Sequence, residues 1–310
     1  MRIRLTRARW RWAIAIIAIG TLLAVSAAGF LLYPIACLGE YQRLQRWLAH
    51  TESYTVMVYG VRMHYDVQGP KNGAPVVLVH GLGGSSDDWS NMAPALARAG
   101  YRVYMPDLPG FGRSERPVQF SYSMRDQATV LVAYLDAIGL KRVDLGGWSM
   151  GGWIAQLVAA RHPERIRKLV LLDSAGLRFY PSWNTRLFTP TNAQELDQLD
   201  ALLMSHPPLI PGYIARDVLR TSAQQSWIIR RSMGSMMSGM DVTDRLLPSL
   251  KMPVLLVWGT EDRITPLALG ETMHRSIRES ELEVFAGCDH MAPRLCAGQI
   301  APKVVDFIKR

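Results

Sequence analysis

Three cysteines in 310 residues are too few for a disulfide-built scaffold, and a chain of this length needs none. Internal repeats of fixed period are missing, and 25 Gly and 18 Pro show no compositional bias, which excludes collagen-like and solenoid readings. Charged residues make up only 20% against 49% hydrophobic, too apolar for a disordered chain. A basic stripe interleaved with aromatics is also missing. The net charge is +9, but Arg2, Arg4, Arg7, Arg9 and Arg11 supply five of those charges, and +4 remains for everything else. No nucleic-acid partner is therefore expected. The glycine-rich segment His80-Gly81-Leu82-Gly83-Gly84 has no Lys-Ser/Thr pair after it, so it is not a phosphate loop. The length allows one large domain or two ordinary ones.

Charge is altogether absent between residues 12 and 38. An apolar helix needs about 20 residues to cross a bilayer, so this stretch spans one with some tilt. Trp10, Trp12 and Tyr33 bracket it as interfacial aromatics. A cleaved secretory signal is the rival reading. The apolar run is longer than a signal core of about 7–15 residues, and no clear A-x-A site follows. A lipoprotein-type Cys37 is poorly served by Pro34-Ile35-Ala36 before it. The expected organisation is a basic segment 1–11, a transmembrane anchor 12–38, a linker 39–52 and a catalytic domain 53–310. Five Arg precede the span and only Arg43 and Arg46 follow it closely. The N-terminus is thus expected in the cytoplasm and the domain outside it. On that oxidising side Cys288 and Cys296 can pair, or they can serve as two unpaired small hydrophobes.

Residues 40–50 (EYQRLQRWLAH) form a short helix candidate running along the membrane surface. Two alternating runs, 54–59 and 61–67, are hinged at Gly60 and predict an antiparallel hairpin. Beyond them short apolar runs at 75–80, 102–107, 142–146, 168–173, 254–259 and 282–285 read as strands buried on both faces. Helical stretches at 91–99, 124–138, 152–161, 267–278 and 300–308 alternate with them. Ser123 with Asp126 can cap the second of these helices. The pattern is α/β: a mostly parallel sheet with helices on both faces. Residues 177–250 break the alternation. They hold no convincing strand, and they are rich in Met (Met204, Met233, Met236, Met237, Met240) and bulky aromatics (Phe179, Trp183, Phe188, Tyr213, Trp227). An insertion at the carboxyl edge of such a sheet lies over the ligand site, so a helical lid roofing an apolar pocket is expected.

The chemistry concentrates at Gly147-Trp148-Ser149-Met150-Gly151, between a predicted strand and a predicted helix. That setting suits a nucleophile elbow, a turn too sharp for bulky neighbours, which lifts the Ser149 hydroxyl clear of the sheet. A serine hydroxyl needs a base. His290 lies just after the last predicted strand, and Asp262 follows the strand VLLVWG. The order Ser, Asp, His is the order this fold uses. Asp173, after the strand KLVLLD, is the second candidate acid. The Leu82 and Met150 N–H groups are expected to form the oxyanion hole. Gly83, and Trp148 and Met291 beside nucleophile and base, are expected to touch substrate. His80 reads as a structural hydrogen-bonding residue.

His80-Gly81, the segment Asp107-Leu108-Pro109-Gly110-Phe111-Gly112-Arg113-Ser114, Gly147-Trp148-Ser149-Met150-Gly151-Gly152, Asp262 and His290 together resemble the α/β-hydrolase fold superfamily over residues 50–310. The membrane-anchored monoacylglycerol lipase branch is the one resembled in particular. The span ending near Leu32-Tyr33-Pro34, Ser174-Ala175-Gly176-Leu177 and Pro253-Val254-Leu255-Leu256-Val257-Trp258-Gly259 carry that likeness. The family's usual Cys-Gly-His reads Cys288-Asp289-His290 in this chain. Members of the resembled branch can face the cytosol, the opposite of the charge-based orientation.

The resemblance implies a serine esterase or lipase that acts through an acyl-enzyme and needs neither metal nor cofactor. A lipid or small ester, such as a monoacylglycerol, is the expected substrate. A carbon–carbon bond hydrolase and an acyltransferase share the same triad. Outside enzymology, a membrane-anchored binding module is the alternative. No protein partner is legible.

Overall fold

Alternation within single strands determines how this protein is layered. The computed structural model describes residues 7–310. Eight strands form one sheet: β1 (Glu52–Val58), β2 (Val61–Gln68), β3 (Ala74–Val79), β4 (Tyr101–Pro106), β5 (Val143–Trp148), β6 (Ile166–Leu172), β7 (Val254–Gly259) and β8 (Ser280–Phe285). Their spatial order is β1-β2-β4-β3-β5-β6-β7-β8. The last six in chain order run parallel, while β1 and β2 are antiparallel to their neighbours. The predicted hairpin turns through Tyr59 and Gly60, both at positive φ, the two-residue turn that suits strand twist.

Ten α-helices lie among the described residues: α1 (Arg7–Leu32), α2 (Pro34–Leu48), α3 (Ala93–Arg98), α4 (Met124–Ala137), α5 (Met150–Arg161), α6 (Ala193–Leu203), α7 (Gly212–Ser238), α8 (Leu267–Ser276), α9 (Ala292–Leu295) and α10 (Ala297–Lys309). Successive strand residues point to opposite faces. Val77, Val79, Leu169, Leu171, Val254 and Leu256 accordingly join the core shared with α4, α5 and α8. Val76, Leu78, Val170, Leu172, Leu255 and Val257 join a second core shared with α3 and α10. Both faces of the sheet are therefore dry, and its strands read as continuous apolar runs. Ser123 caps α4 by accepting the Asp126 N–H at 3.0 Å, while the Asp126 carboxylate accepts from Ser121.

The N-terminal stretch differs in detail from expectation. Residues 1–6 of the basic segment, including Arg2 and Arg4, lie outside the described residues. The apolar stretch 12–38 divides between two helices, because Pro34 lacks an N–H to continue α1 and is preset to begin α2. Within α1, Trp10–Leu32 spans 23 residues at mean hydropathy 2.4, long and apolar enough to cross a membrane. Residues 39–48 of the expected linker are helical, and α1 and α2 dock on the body through Phe30, Ile35 and Arg46. The Ile35 N–H donates to Asp217 Oδ2 at 2.9 Å, Arg46 pairs with Asp87 at 2.5 Å, and the Phe30 and Tyr213 rings meet edge to face at 6.0 Å.

Residues 177–250 connect β6 to β7 and carry α6 and α7 without a strand. The chain order of the sheet reverses at β3, which lies between β4 and β5. A crevice at the carboxyl ends of these strands is where such sheets take ligands. The loop after β3 and the turn after β5 both open there.

Candidate active site

The turn after β5 determines the position of Ser149. Its φ of 55° and ψ of −117° are strained for a residue with a Cβ. Two glycines make the turn possible: a Cβ on Gly147 would stand 2.3 Å from the Gly151 carbonyl oxygen, and one on Gly151 would stand 2.2 Å from that of Val79. The Ser149 N–H donates to the Leu172 carbonyl at 3.1 Å, and the Ser149 carbonyl accepts the Ala175 N–H at 3.1 Å. The elbow is thereby tied to β6. Met150 is the first residue of α5, so its N–H belongs to the helix terminus and has no partner within the helix.

His290 follows β8, and its Nε2 lies 3.0 Å from Ser149 Oγ. Its Nδ1 lies 2.8 Å from Asp262 Oδ2. The carboxylate assigns the ring proton to Nδ1 and leaves Nε2 to accept the serine proton. The His290 backbone is held as well, since Trp148 Nε1 donates to its carbonyl at 2.8 Å. Asp262 Oδ1 accepts the N–H groups of Ile264 and Thr265 at 2.7 and 2.9 Å. Thr265 Oγ1 is 2.7 Å from Asp262 Oδ2. Between the two candidate acids, His290 is thus bonded to Asp262. Asp173 instead accepts the Gly259 N–H at 2.8 Å.

The loop after β3 packs against this centre. A Cβ on Gly81 would lie 3.1 Å from the Trp148 ring and 3.4 Å from Ser149 Cβ. His80 shapes the bend: its Nδ1 donates to the Gly81 carbonyl at 2.7 Å, and its Nε2 accepts the Leu108 N–H at 3.0 Å. Asp107 fastens the other end, accepting from the Ser86 and Arg113 N–H groups and meeting His64 Nδ1 at 3.1 Å. Burial opposes ionisation of Asp107, but the His64 contact and its backbone donors outweigh it and hold the carboxyl well below the usual range.

Two cavities share Leu82 and Phe188 in their walls. One, of about 200 Å³, holds Ser149 and is walled by Met233, Met236 and Met237 of α7 with Phe179, Trp183 and Phe188. Arg178 contributes the one charged side chain in its wall. The second, of about 390 Å³, is lined by Gly83, Trp148 and Met291 with Leu199 and Leu203 of α6. Gly83, Trp148 and Met291 therefore line the second cavity, and the three methionines line the first.

Sequence reading missed two features and left a third open. Thr265 supports Asp262 from three residues downstream, a spacing typical of a side-chain-to-backbone turn. Asp289 stands where the resembled family has glycine and joins the lid to the loop of His290. Its Oδ2 accepts the Ser205 N–H at 2.9 Å and its Oδ1 the Met291 N–H at 3.0 Å. Cys288 and Cys296 are joined by a disulfide, so of the two readings left open by their spacing, the paired one is realised.

A family model described as alpha/beta hydrolase fold matches residues 74–227. A 2-hydroxymuconate semialdehyde hydrolase of a Pseudomonas species is 31% identical over 276 residues, covering 82% of this chain and 92% of the relative. Lipase 1 of Psychrobacter immobilis is 31% identical over 248 residues, covering 75% of this chain and 76% of the relative. A crystal structure of a membrane phospholipase A, described as a bacterial virulence factor, superposes with a TM-score of 0.78 at 28% identity, covering 95% of this chain and 99% of that one. These relatives divide between lipases and a semialdehyde hydrolase, and they do not single out the monoacylglycerol lipase branch. With the strand order, the turn at Ser149 and these likenesses in agreement, the chain belongs to the alpha/beta hydrolase fold family.

Proposed function

We propose that the protein is a serine hydrolase that cleaves carboxylic esters of lipids, monoacylglycerols among them, and that it works from a membrane anchor. The observation that carries this reading is the unbroken relay from Ser149 through His290 to Asp262, opening onto a cavity walled by methionines and aromatics. Ser149 Oγ attacks the ester carbonyl while His290 Nε2 takes its proton. Asp262 keeps the imidazole in the productive tautomer and stabilises the imidazolium. The Leu82 and Met150 N–H groups receive the oxyanion, aided by the positive end of α5. His290 then returns its proton to the departing alcohol, and it next activates the water that releases the acid from Ser149. The acyl chain lies along the methionine wall, where unbranched side chains adapt to varied lengths. Gly83, Trp148 and Met291 flank the alcohol.

Anchoring is supported by the length and hydropathy of Trp10–Leu32. A segment of 23 residues extends about 34 Å as a helix, enough for a bilayer core of about 30 Å. The arginines before it favour a cytoplasmic N-terminus, and the Cys288–Cys296 disulfide favours an oxidising compartment for the domain. The test of the hydrolase reading is Ser149→Ala. The variant is expected to lose several orders of magnitude in p-nitrophenyl ester hydrolysis and all fluorophosphonate labelling, with its melting temperature retained. Hydrolysis near the parent rate would sink the assignment.

Arg178 supports a second reading, carbon–carbon bond hydrolysis, because a cationic side chain in the wall of the Ser149 cavity suits a substrate bearing a carboxylate. The relative named for 2-hydroxymuconate semialdehyde acts on such a compound. Turnover of a 2-hydroxy-6-oxo-dienoate in preference to octanoate esters would favour that chemistry.

A further inference from the structure

Asp173 occupies an unusual position for a residue that does not touch the base. It follows β6 with a φ of 41°, a left-handed conformation that few residues with a Cβ adopt, and it has no solvent exposure. Its contacts converge on one short segment. Oδ1 accepts the Gly259 N–H at 2.8 Å, its own N–H donates to the Val257 carbonyl at 2.9 Å, and its carbonyl oxygen lies 2.9 Å from Thr265 Oγ1. Gly259 and Thr265 are the two ends of the segment that carries Asp262. The same Thr265 hydroxyl stands 2.7 Å from Asp262 Oδ2, so one group links Asp173, Asp262 and the segment's far end. The remaining oxygen, Asp173 Oδ2, is buried and no donor group reaches it.

An ionised carboxylate is a poor occupant of such a place. It would leave one oxygen unsolvated and set a second negative charge beside Asp262, with one backbone N–H in return. A protonated acid fits, because Oδ1 then serves as a neutral acceptor and the site keeps a single charge. Burial is the largest influence on Asp173 and pushes its proton affinity far up. The charge of Asp262 adds to this, the Gly259 N–H opposes it, and a hydrogen bond from the acid to Asp262 and the charge of Asp289 work in the same direction as burial.

We propose that Asp173 is a positioning residue for the hydrolytic reaction: a neutral carboxylic acid that clasps both ends of the Gly259–Thr265 segment and so holds Asp262 against His290. The inference rests on the serine hydrolase reading for its catalytic consequence but not for its protonation. Its strain at positive φ is compensated by that clasp, as strained residues beside active sites commonly are. Asp262 carries the charge, and Asp173 fixes where that charge sits.

The test uses the full-length, detergent-solubilised protein with Asp173→Ala and Asp173→Asn. Alanine removes the acceptor for the Gly259 N–H, and kcat is expected to fall roughly 10- to 100-fold through misplacement of the acid, with KM little changed. Asparagine keeps a neutral acceptor and tolerates positive φ, so it is expected to restore kcat to within about threefold of the parent, on the scale of a single hydrogen-bond change. Thermal melting gives a readout that needs no turnover. A carboxyl whose folded-state proton affinity is raised costs stability as pH rises above its unfolded range, because unfolding then releases the proton. Asp173→Asn is therefore expected to melt several degrees above the parent at pH 8, with the gap closing toward pH 4. Asparagine as damaging as alanine, alanine indistinguishable from the parent, or a melting gap independent of pH would each overturn the proposal. Should alanine fail to fold, the asparagine kinetics and melting curves decide alone. Failure of the hydrolase reading itself shows separately, as an active Ser149→Ala or an inactive parent.

Discussion

Replacing Asp262 by Asn tests the relay at its least conspicuous member. Asp262 Oδ1 accepts two backbone N–H groups, from Ile264 and Thr265. Both are donors, so an asparagine there has to present its carbonyl oxygen to them. Its amide NH2 then faces His290 Nδ1, which in the parent donates to Oδ2 at 2.8 Å. Two donors cannot share that contact. The ring answers by moving its proton to Nε2, the atom 3.0 Å from Ser149 Oγ, and the base can no longer take the serine proton. The penalty expected for the wrong tautomer is about 10⁴ in kcat, or about 5.5 kcal/mol of transition-state stabilisation. KM should change little, because Asp262 lines neither cavity. The assay is steady-state hydrolysis of p-nitrophenyl butyrate by the purified full-length protein, with fluorophosphonate labelling rates and circular dichroism measured alongside. A folded Asp262→Asn protein within tenfold of the parent would refute the reasoning, since no account that routes the proton through Nε2 survives it.

The methionine wall predicts that kcat/KM rises from acetate to at least octanoate esters, since each buried CH₂ contributes about 0.8 kcal/mol. Shortening the lid within residues 177–250 is expected to flatten that series while leaving Ser149 labelled by fluorophosphonates. A parent that prefers acetate removes the lipid reading. A reporter fused after Arg310 is expected to show alkaline phosphatase activity without β-galactosidase activity, and the protein is expected to stay with membranes after a carbonate wash. The reverse reporter pattern would place the domain in the cytoplasm, and release by carbonate would remove the anchor.

The parallel strands were legible because both faces of the sheet are buried. Val76 to Val79 supply two cores at once, and such a run carries no polar interruption to confuse a reader. Ser149 was legible for a related reason: the glycines that a tight turn demands stand on either side of it in the chain. Features set by contacts between distant residues were not. Nothing local in Asp289 announces Ser205 as its partner 84 residues away. Spacing left the Cys288–Cys296 disulfide open, since eight residues permit a bridge and do not require one. Apolar character was a poor guide near residue 33. It continues through Cys37 and Leu38, whereas backbone chemistry at Pro34 divides the helix. The separation of Gly83, Trp148 and Met291 from the methionine wall was hidden as well, because it depends on how α6 and α7 lie over the sheet.

Helix α7 has a consequence for any attempt to simplify the protein. It is one continuous element of 27 residues, about 40 Å long. Its first turns receive the N-terminal helices: Tyr213 meets Phe30, and Asp217, 2% exposed, accepts the Ile35 N–H. Its last turns carry Met233, Met236 and Met237 into the cavity at Ser149. A stiff rod held at one end by the apolar N-terminal helices forms a wall of the reaction chamber at the other. Cutting away the first 48 residues for solubility would therefore not be a neutral trim. It would strip Asp217 of its backbone donor, leave Arg220 as its remaining partner, and release the near end of the rod whose far end shapes the chamber.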